Sequence, residues 1–312
     1  MKLPSMVKIV EVGPRDGFQA ERQWIPTEQK IEVVNALSRS GLKDIQATSF
    51  VHPRAVPQLA DADELMSKIE RPDGVEFRVL VPNMKGLQRA IGHKPKRMNF
   101  MMSVTESHNR SNANCSIEES LKGFEPMAAI ALEAGIEAVG GMACTFGCPF
   151  EGEVPVERLE GITRRYIEMG IREIGLSDTV GVASPVQVYN VAARMLDRFP
   201  DVQWNLHLHN TRDMALPNIF AAMQAGMTSF ESSIGGLGGC PYAPGATGNV
   251  ATEDLVNMLA EMGIETGVDL DALIAIAKRL EEIVPHRLDS CMVRAGKRTD
   301  LQAAPKEQQK LA

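Results

Sequence analysis

His207 and His209 stand one residue apart at the end of an apolar, strand-like run. Side chains two positions apart on a strand project to the same side. Both imidazoles can therefore face one pocket while Leu206 and Leu208 face the other way. Two imidazoles and a carboxylate make a common set for a divalent cation, although H-x-H alone also describes two surface histidines. Asp16 is the carboxylate that could complete the set, and Asn249 offers a further, neutral oxygen.

Arg15 directly precedes Asp16 within Gly13-Pro14-Arg15-Asp16-Gly17. An isolated Arg-Asp pair reads as a local ion pair or a solvated turn. Between glycines at a strand end, the arginine is also a candidate to stabilise a developing oxyanion beside a cation. Asp178 has two readings as well, as the cap of a following turn or as a pocket residue.

Residues Gly235 to Asn249 hold six glycines, two prolines and a central Cys240 directly after an apolar run. No core element favours that composition, because glycine loses chain entropy and proline removes a donor. A loop of this kind at a strand end carries function more often than structure. A structural cysteine wants an apolar core position, which Gly-Gly-Cys-Pro does not resemble. The chemical reading of Cys240 is proton transfer, with its thiol made acidic by a cation or by backbone N–H groups.

These residues lie far apart in the chain, so the elements must bring them together. The sequence predicts strands at Val7–Val12, Asp44–Ser49, Glu76–Val81, Arg97–Ser103, Glu137–Ala143, Glu173–Ser177, Val202–His207 and Thr228–Ile234. Between and after them it predicts helices at Thr27–Ser40, Ala62–Glu70, Lys85–Ile91, Ser116–Ala134, Pro155–Met169, Pro185–Phe199, Asp213–Ala225, Ala251–Met262 and Leu270–Ile283. Strict alternation implies a parallel sheet. Eight units in about 250 residues imply an α/β fold, a closed (β/α)8 TIM barrel, with extra helices at the C-terminus. A doubly wound open sheet needs fewer strands and usually a G-x-G-x-x-G turn after the first, which is absent here. A single barrel domain is expected over residues 1–285, with a C-terminal extension over residues 286–312 that is partly disordered on composition. In such a barrel the active site sits at the C-terminal ends of the strands. Arg15-Asp16, Gln46 to Ser49, Cys144 to Cys148, Ser177-Asp178, His207-Leu208-His209 and the Cys240–Asn249 loop all follow strands.

A net charge of −7 argues against nucleic acid as the main partner. Five irregularly spaced cysteines argue against a disulfide framework and for a reducing compartment. No apolar run is long enough to span a membrane, and Met1 to Met6 is too short for a targeting signal, so a cytoplasmic location is expected with no membrane partner.

Six segments, Glu11-Val-Gly-Pro-Arg-Asp-Gly17, Thr48-Ser-Phe-Val51, Asn114-Cys-Ser-Ile-Glu-Glu-Ser120, Gly147-Cys-Pro-Phe-Glu-Gly152, Asp178-Thr-Val-Gly181 and Gly236-Leu-Gly-Gly-Cys-Pro-Tyr242, together strongly resemble the 3-hydroxy-3-methylglutaryl-CoA lyases. The resemblance spans about Val7 to Ile283. It implies a divalent cation, Mg2+ or Mn2+, held by Asp16, His207, His209 and Asn249, and an acyl-CoA substrate cleaved to acetyl-CoA and a keto acid. It implies that the cation acidifies the substrate C3 hydroxyl, that Arg15 stabilises the enolate oxygen and that Cys240 helps protonate its carbon. The base is Asp16 or a histidine such as His207. Arg22 and the Asn112–Ser116 segment are expected against the CoA moiety. Gln46, Ser49, Asp178 and Arg212 are expected around the acyl group. A homo-oligomer, dimer or tetramer, is expected as well.

Two departures bear on the substrate. Gln46 stands where these lyases usually carry Glu, and Asn210-Thr211-Arg212 stands where Asp-Thr-Tyr is usual. Both changes make the site less acidic, which a larger or differently charged acyl group would explain, as would weaker activity on the standard substrate. A lyase for another branched 3-hydroxyacyl-CoA, such as an isoprenoid-derived glutaryl-CoA, and a Claisen-type synthase are the alternatives within this chemistry.

Overall fold

The computed structural model describes residues 3–239 and 248–301. Eight parallel strands close in sequential order into one barrel: β1 (Lys8–Glu11), β2 (Asp44–Ser49), β3 (Glu76–Leu80), β4 (Arg97–Ser103), β5 (Glu137–Ala143), β6 (Glu173–Asp178), β7 (Gln203–Leu208) and β8 (Ser229–Ser232). The expected TIM barrel is thus the observed fold. Strands β2, β4 and β5 carry the bounds that their sequence predicts. Helices follow the strands and pack outside, and the helices Thr252–Glu261 and Leu270–Leu280 extend the fold beyond β8.

Local sequence sets the helix starts. Ser116 accepts from the Glu119 N–H at 3.1 Å while its own N–H donates to the Glu119 carboxylate at 2.7 Å, a reciprocal capping box that starts the helix Ile117–Glu133. The helix Glu106–Ala113 was not among the sequence expectations. Its sequence carries no apolar stripe, which is the signal such a reading depends on, and the residues it buries are His108 and Asn109.

Residues 286–301 contribute to the packing. Leu288 is buried, and Asp254 holds the short helix Cys291–Ala295 by accepting from the N–H groups of Cys291 and Met292, each at 2.8 Å.

The N-terminal half of the barrel interior is ionic. Arg78 is fully buried and donates to Asp44 of β2 and to Glu173 of β6, the latter at 2.7 Å. Arg97 adds ion pairs to Glu76, Glu137 and Glu173. Burial opposes the Arg78 charge, and Asp44 and Glu173 offset that cost and raise its affinity for its proton. This layer fills the N-terminal half of the lumen with paired charges and leaves the C-terminal ends of the strands to carry the candidate site.

The pairing of β2 with β3 contains a bulge between Gln46 and Thr48. Gln46 pairs with Arg78 and Ser49 pairs with Leu80. Arg78 and Leu80 share a face of β3, so the bulge puts Gln46 and Ser49, three residues apart, on the lumen side.

Candidate active site

Directly after β1 the chain makes a π-helical turn, Gly13–Gly17, with the Arg15 and Asp16 N–H groups both donating to the Val12 carbonyl. A Cβ at Gly13 would lie 2.7 Å from Glu11 Oε1 and 2.8 Å from Ile234, so only glycine allows the turn to sit this close to β8. The turn carries both functional side chains into the mouth of the barrel.

There Asp16 meets the β7 histidines. His207 Nε2 and His209 Nε2 lie 3.1 Å apart, and Asp16 Oδ2 is 4.0 Å from the first and 3.8 Å from the second. Asn249 is brought in by a short antiparallel bridge to His209, fixed by Asn210 N–H to the Gly248 carbonyl and Val250 N–H to the Leu208 carbonyl. Its amide nitrogen donates to Asp16 Oδ2 at 2.8 Å and to the Leu237 carbonyl at 2.9 Å. Its amide oxygen is buried with no partner among the described residues.

This arrangement fits a divalent cation. Two imidazole nitrogens lie close together and a carboxylate oxygen stands near both, so one cation could take all three as ligands. The Asn249 side chain touches this group through Asp16, and its unpartnered oxygen is a further candidate ligand.

The charge states of Asp16 and His209 support the same conclusion. Burial would raise the Asp16 pKa, but Arg15, His207, His209 and the Asn249 hydrogen bond outweigh it and hold the carboxyl well below the usual carboxylate range. Burial and the neighbouring His207 push His209 down to about 4, so it stays neutral and able to ligate. Burial would also lower His207, yet its hydrogen bond to Glu231, the Glu231 charge and Asp16 raise it.

Arg15 is buried, with Nε donating to Gln46 Oε1 and Nη1 donating to Asp16 Oδ1. The Gln46 oxygen must face Arg15 to accept, so its amide nitrogen, a donor, is left toward the lumen. Ser49 is buried and accepts from the Val51 N–H at 3.2 Å.

The other expected site residues have more local occupations. Both oxygens of Asp178 accept backbone N–H groups, from Val182 and Ala183, each at 3.0 Å, so it acts as a loop cap. Arg212 is exposed and donates to the Val180 and Gly181 carbonyls at 3.1 and 2.8 Å, tying the loop after β7 to the loop after β6. The Ser116 hydroxyl is engaged by Glu119. Asn112 lies exposed on the helix Glu106–Ala113. Arg22 is exposed and lines a cavity with Gly236, Leu237, Gly238, His286 and Arg287. Cys240 lies outside the described residues.

Sequence reading did not single out Glu231 as a site residue. It follows the β8 alternation toward the lumen and bonds His207 Nδ1 at 2.8 Å. Nor did it assign roles to Glu11 and Glu253 at the root of the glycine-rich segment. Glu11 accepts from the Gly13 and Ile234 N–H groups at 2.7 and 2.9 Å, and Glu253 accepts from the Gly235 N–H at 3.0 Å. Acidic residues inside β8 and just after Asn249 were the available signal, since charge on an otherwise buried element needs a partner.

Comparison with known proteins gives a consistent result. The family model described as HMGL-like matches residues 6–280. The chain is 46% identical over 290 residues to the hydroxymethylglutaryl-CoA lyase YngG of Bacillus subtilis, covering 93% of this chain and 97% of that protein. It is 42% identical over 292 residues to the mitochondrial hydroxymethylglutaryl-CoA lyase of Bos taurus, covering 94% of this chain and 90% of that one. Among solved structures, an HMG-CoA lyase from Acinetobacter baumannii in complex with coenzyme A and 3-methylmalate superposes with a TM-score of 0.93 at 40% identity, covering 96% of this chain and 98% of that one.

Proposed function

The chain belongs to the HMGL-like family, and from that premise we propose that it is a carbon–carbon lyase. It cleaves 3-hydroxy-3-methylglutaryl-CoA, or a close analogue, to acetyl-CoA and acetoacetate. The observation that carries this reading is the convergence of Asp16, His207, His209 and the unpartnered Asn249 oxygen at the open end of the barrel.

Asp16, His207, His209 and Asn249 are the residues that would hold the cation, and Mg2+ or Mn2+ suits a set with two oxygens and two imidazoles. Such an ion supplies Lewis acidity toward the substrate's C3 hydroxyl and carboxylate. The protein's own groups do the rest. Asp16 or a histidine takes the hydroxyl proton. As the C2–C3 bond breaks, its electron pair passes into the thioester and forms an enolate. Arg15 keeps Nη2 clear of the hydrogen bonds that hold its Nε and Nη1, and a buried guanidinium so fixed is preorganised for the enolate oxygen. A proton delivered to C2, for which Cys240 is the proposed donor, completes acetyl-CoA.

The CoA moiety is proposed to cross the rim near Arg22, where His286 and Arg287 line the same cavity. A homo-oligomer working in the cytoplasm is also proposed, and no described helix is long and apolar enough to cross a membrane. The neutral Gln46 beside Arg15, together with Arg212, favours a second reading in which the acyl group is a different branched 3-hydroxyacyl chain.

A panel of 3-hydroxyacyl-CoA thioesters assayed with Mg2+ or Mn2+ for acetyl-CoA release tests the function. Release from the 3-hydroxy-3-methylglutaryl thioester is expected. No release from any member would reject the lyase reading.

A further inference from the structure

Ser177 sits near the C-terminal end of β6 and is 3% exposed, and its hydroxyl has no partner among the described residues. Its direction follows from its strand. Glu173, four residues earlier, reaches Arg78 inside the barrel, so alternation points Ser177 into the same lumen. In register it pairs with His207, which places it one strand spacing, about 4.8 Å, from a residue of the cation set. On the other side its backbone is held by Thr145, which donates its N–H to the Ser177 carbonyl and accepts the Ser177 N–H at Oγ1, and neither bond uses the Ser177 hydroxyl.

A buried hydroxyl without a partner is costly, and a ligand is the natural source of the missing bond. The surrounding charges say what kind of ligand. Among the described residues, the carboxylates near the lumen mouth are already engaged: Asp16 by Arg15 and Asn249, Glu231 by His207 and Asn205, and Asp178 by two backbone N–H groups. Among the described residues, the group on this wall of β6 left without a partner is the Ser177 hydroxyl, which can donate. A donor beside a cation suits an acceptor-rich anionic group.

We propose that Ser177 is a specificity-determining residue whose hydroxyl donates to the distal carboxylate of a 3-hydroxydicarboxylic acyl-CoA. The inference rests on the lyase reading and names the substrate class that this wall of the site selects.

Two unreactive analogues test it, glutaryl-CoA with the distal carboxylate and butyryl-CoA without it. Their binding to the Mg2+-loaded or Mn2+-loaded protein is measured by calorimetry. Ser177→Ala is expected to weaken glutaryl-CoA roughly tenfold or more and to leave butyryl-CoA unchanged. Cation affinity without acyl-CoA should also stay unchanged, which separates substrate contact from support of His207. Equal weakening of both analogues, no weakening of either, or a wild-type protein that does not prefer glutaryl-CoA would overturn the proposal. No bond is cleaved in this assay, so failure of the lyase activity itself would be seen separately in the turnover panel.

Discussion

Glu231 Oε2 lies 2.8 Å from His207 Nδ1, and the other Glu231 oxygen accepts from Asn205 Nδ2 at 2.7 Å. Asn205 in turn accepts from the Ser229 hydroxyl at 2.9 Å. This chain of hydrogen bonds fixes the imidazole's proton on Nδ1 and turns the Nε2 lone pair toward His209 and Asp16. Carboxylates behind ligating histidines typically contribute ten- to hundredfold in metal affinity.

Glu231→Gln should therefore lower Mg2+ or Mn2+ affinity by roughly tenfold to a hundredfold, with the fold intact by circular dichroism. Titration calorimetry reads the affinity directly. Unchanged binding would mean that Glu231 only neutralises charge and does not orient His207.

Gln46→Glu places a carboxylate where Arg15 Nε now donates to an amide. The new pair would strengthen the hold on Arg15 and remove a lumen-facing donor. If 3-hydroxy-3-methylglutaryl-CoA is the native substrate, kcat/KM on it should rise. A fall on that thioester, with a larger branched acyl-CoA preferred by the wild type, would assign the neutral amide to a different acyl group.

Burial, opposed by its hydrogen bonds, raises the Glu11 carboxyl from its ordinary 4.5 to about 7 and that of Glu253 to about 8. The folded chain thus keeps protons that the unfolded chain releases. The contribution of these two groups should be full below pH 4.5, fall as pH rises toward 8, and level off above that. The slope is at most about 1.4 kcal/mol per pH unit for each group. Urea denaturation across this range measures it, and Glu253→Gln should flatten the upper part of the curve.

Ser116→Ala removes a helix cap and should cost about 1 kcal/mol of stability. The Ser116 hydroxyl is engaged by Glu119, so acyl-CoA KM should be unaffected by the same change. A raised KM with unaltered stability would instead return Ser116 to the substrate site.

The barrel was legible because each unit obeys a local rule. β2, β4 and β5 are short segments set off between helical stretches, and their ends match the structure. The cation set was legible because H-x-H on a strand and Arg-Asp at a strand end are local patterns with one geometric meaning in a closed barrel. What escaped depends on partners distant in sequence. Glu231 looks like a stray charge until β8 is placed beside β7. The bulge that turns Ser49 to the lumen has no sequence mark in Gln-Ala-Thr-Ser. Asp178 and Ser116 look equally suited to pocket and cap until the backbone N–H groups that they serve are in view. The helix Glu106–Ala113 is held by tertiary contacts around His108 and Asn109 and not by amphipathicity.

Asn249 bonds Asp16 and the Leu237 carbonyl with one amide nitrogen, while its oxygen is buried without a partner among the described residues. In the proposed cation site one side chain thus serves the ion and the clasp that holds residues 237 and 249 together. If the clasp also opens, occupancy of the ion and its closure are two equilibria that share a residue, and linkage makes their influence mutual. If cation binding steadies the clasp, any acyl-CoA that favours the clasped state must tighten the cation by the same factor. The affinity of each is a property of the pair, and metal content measured without substrate describes only one corner of that cycle.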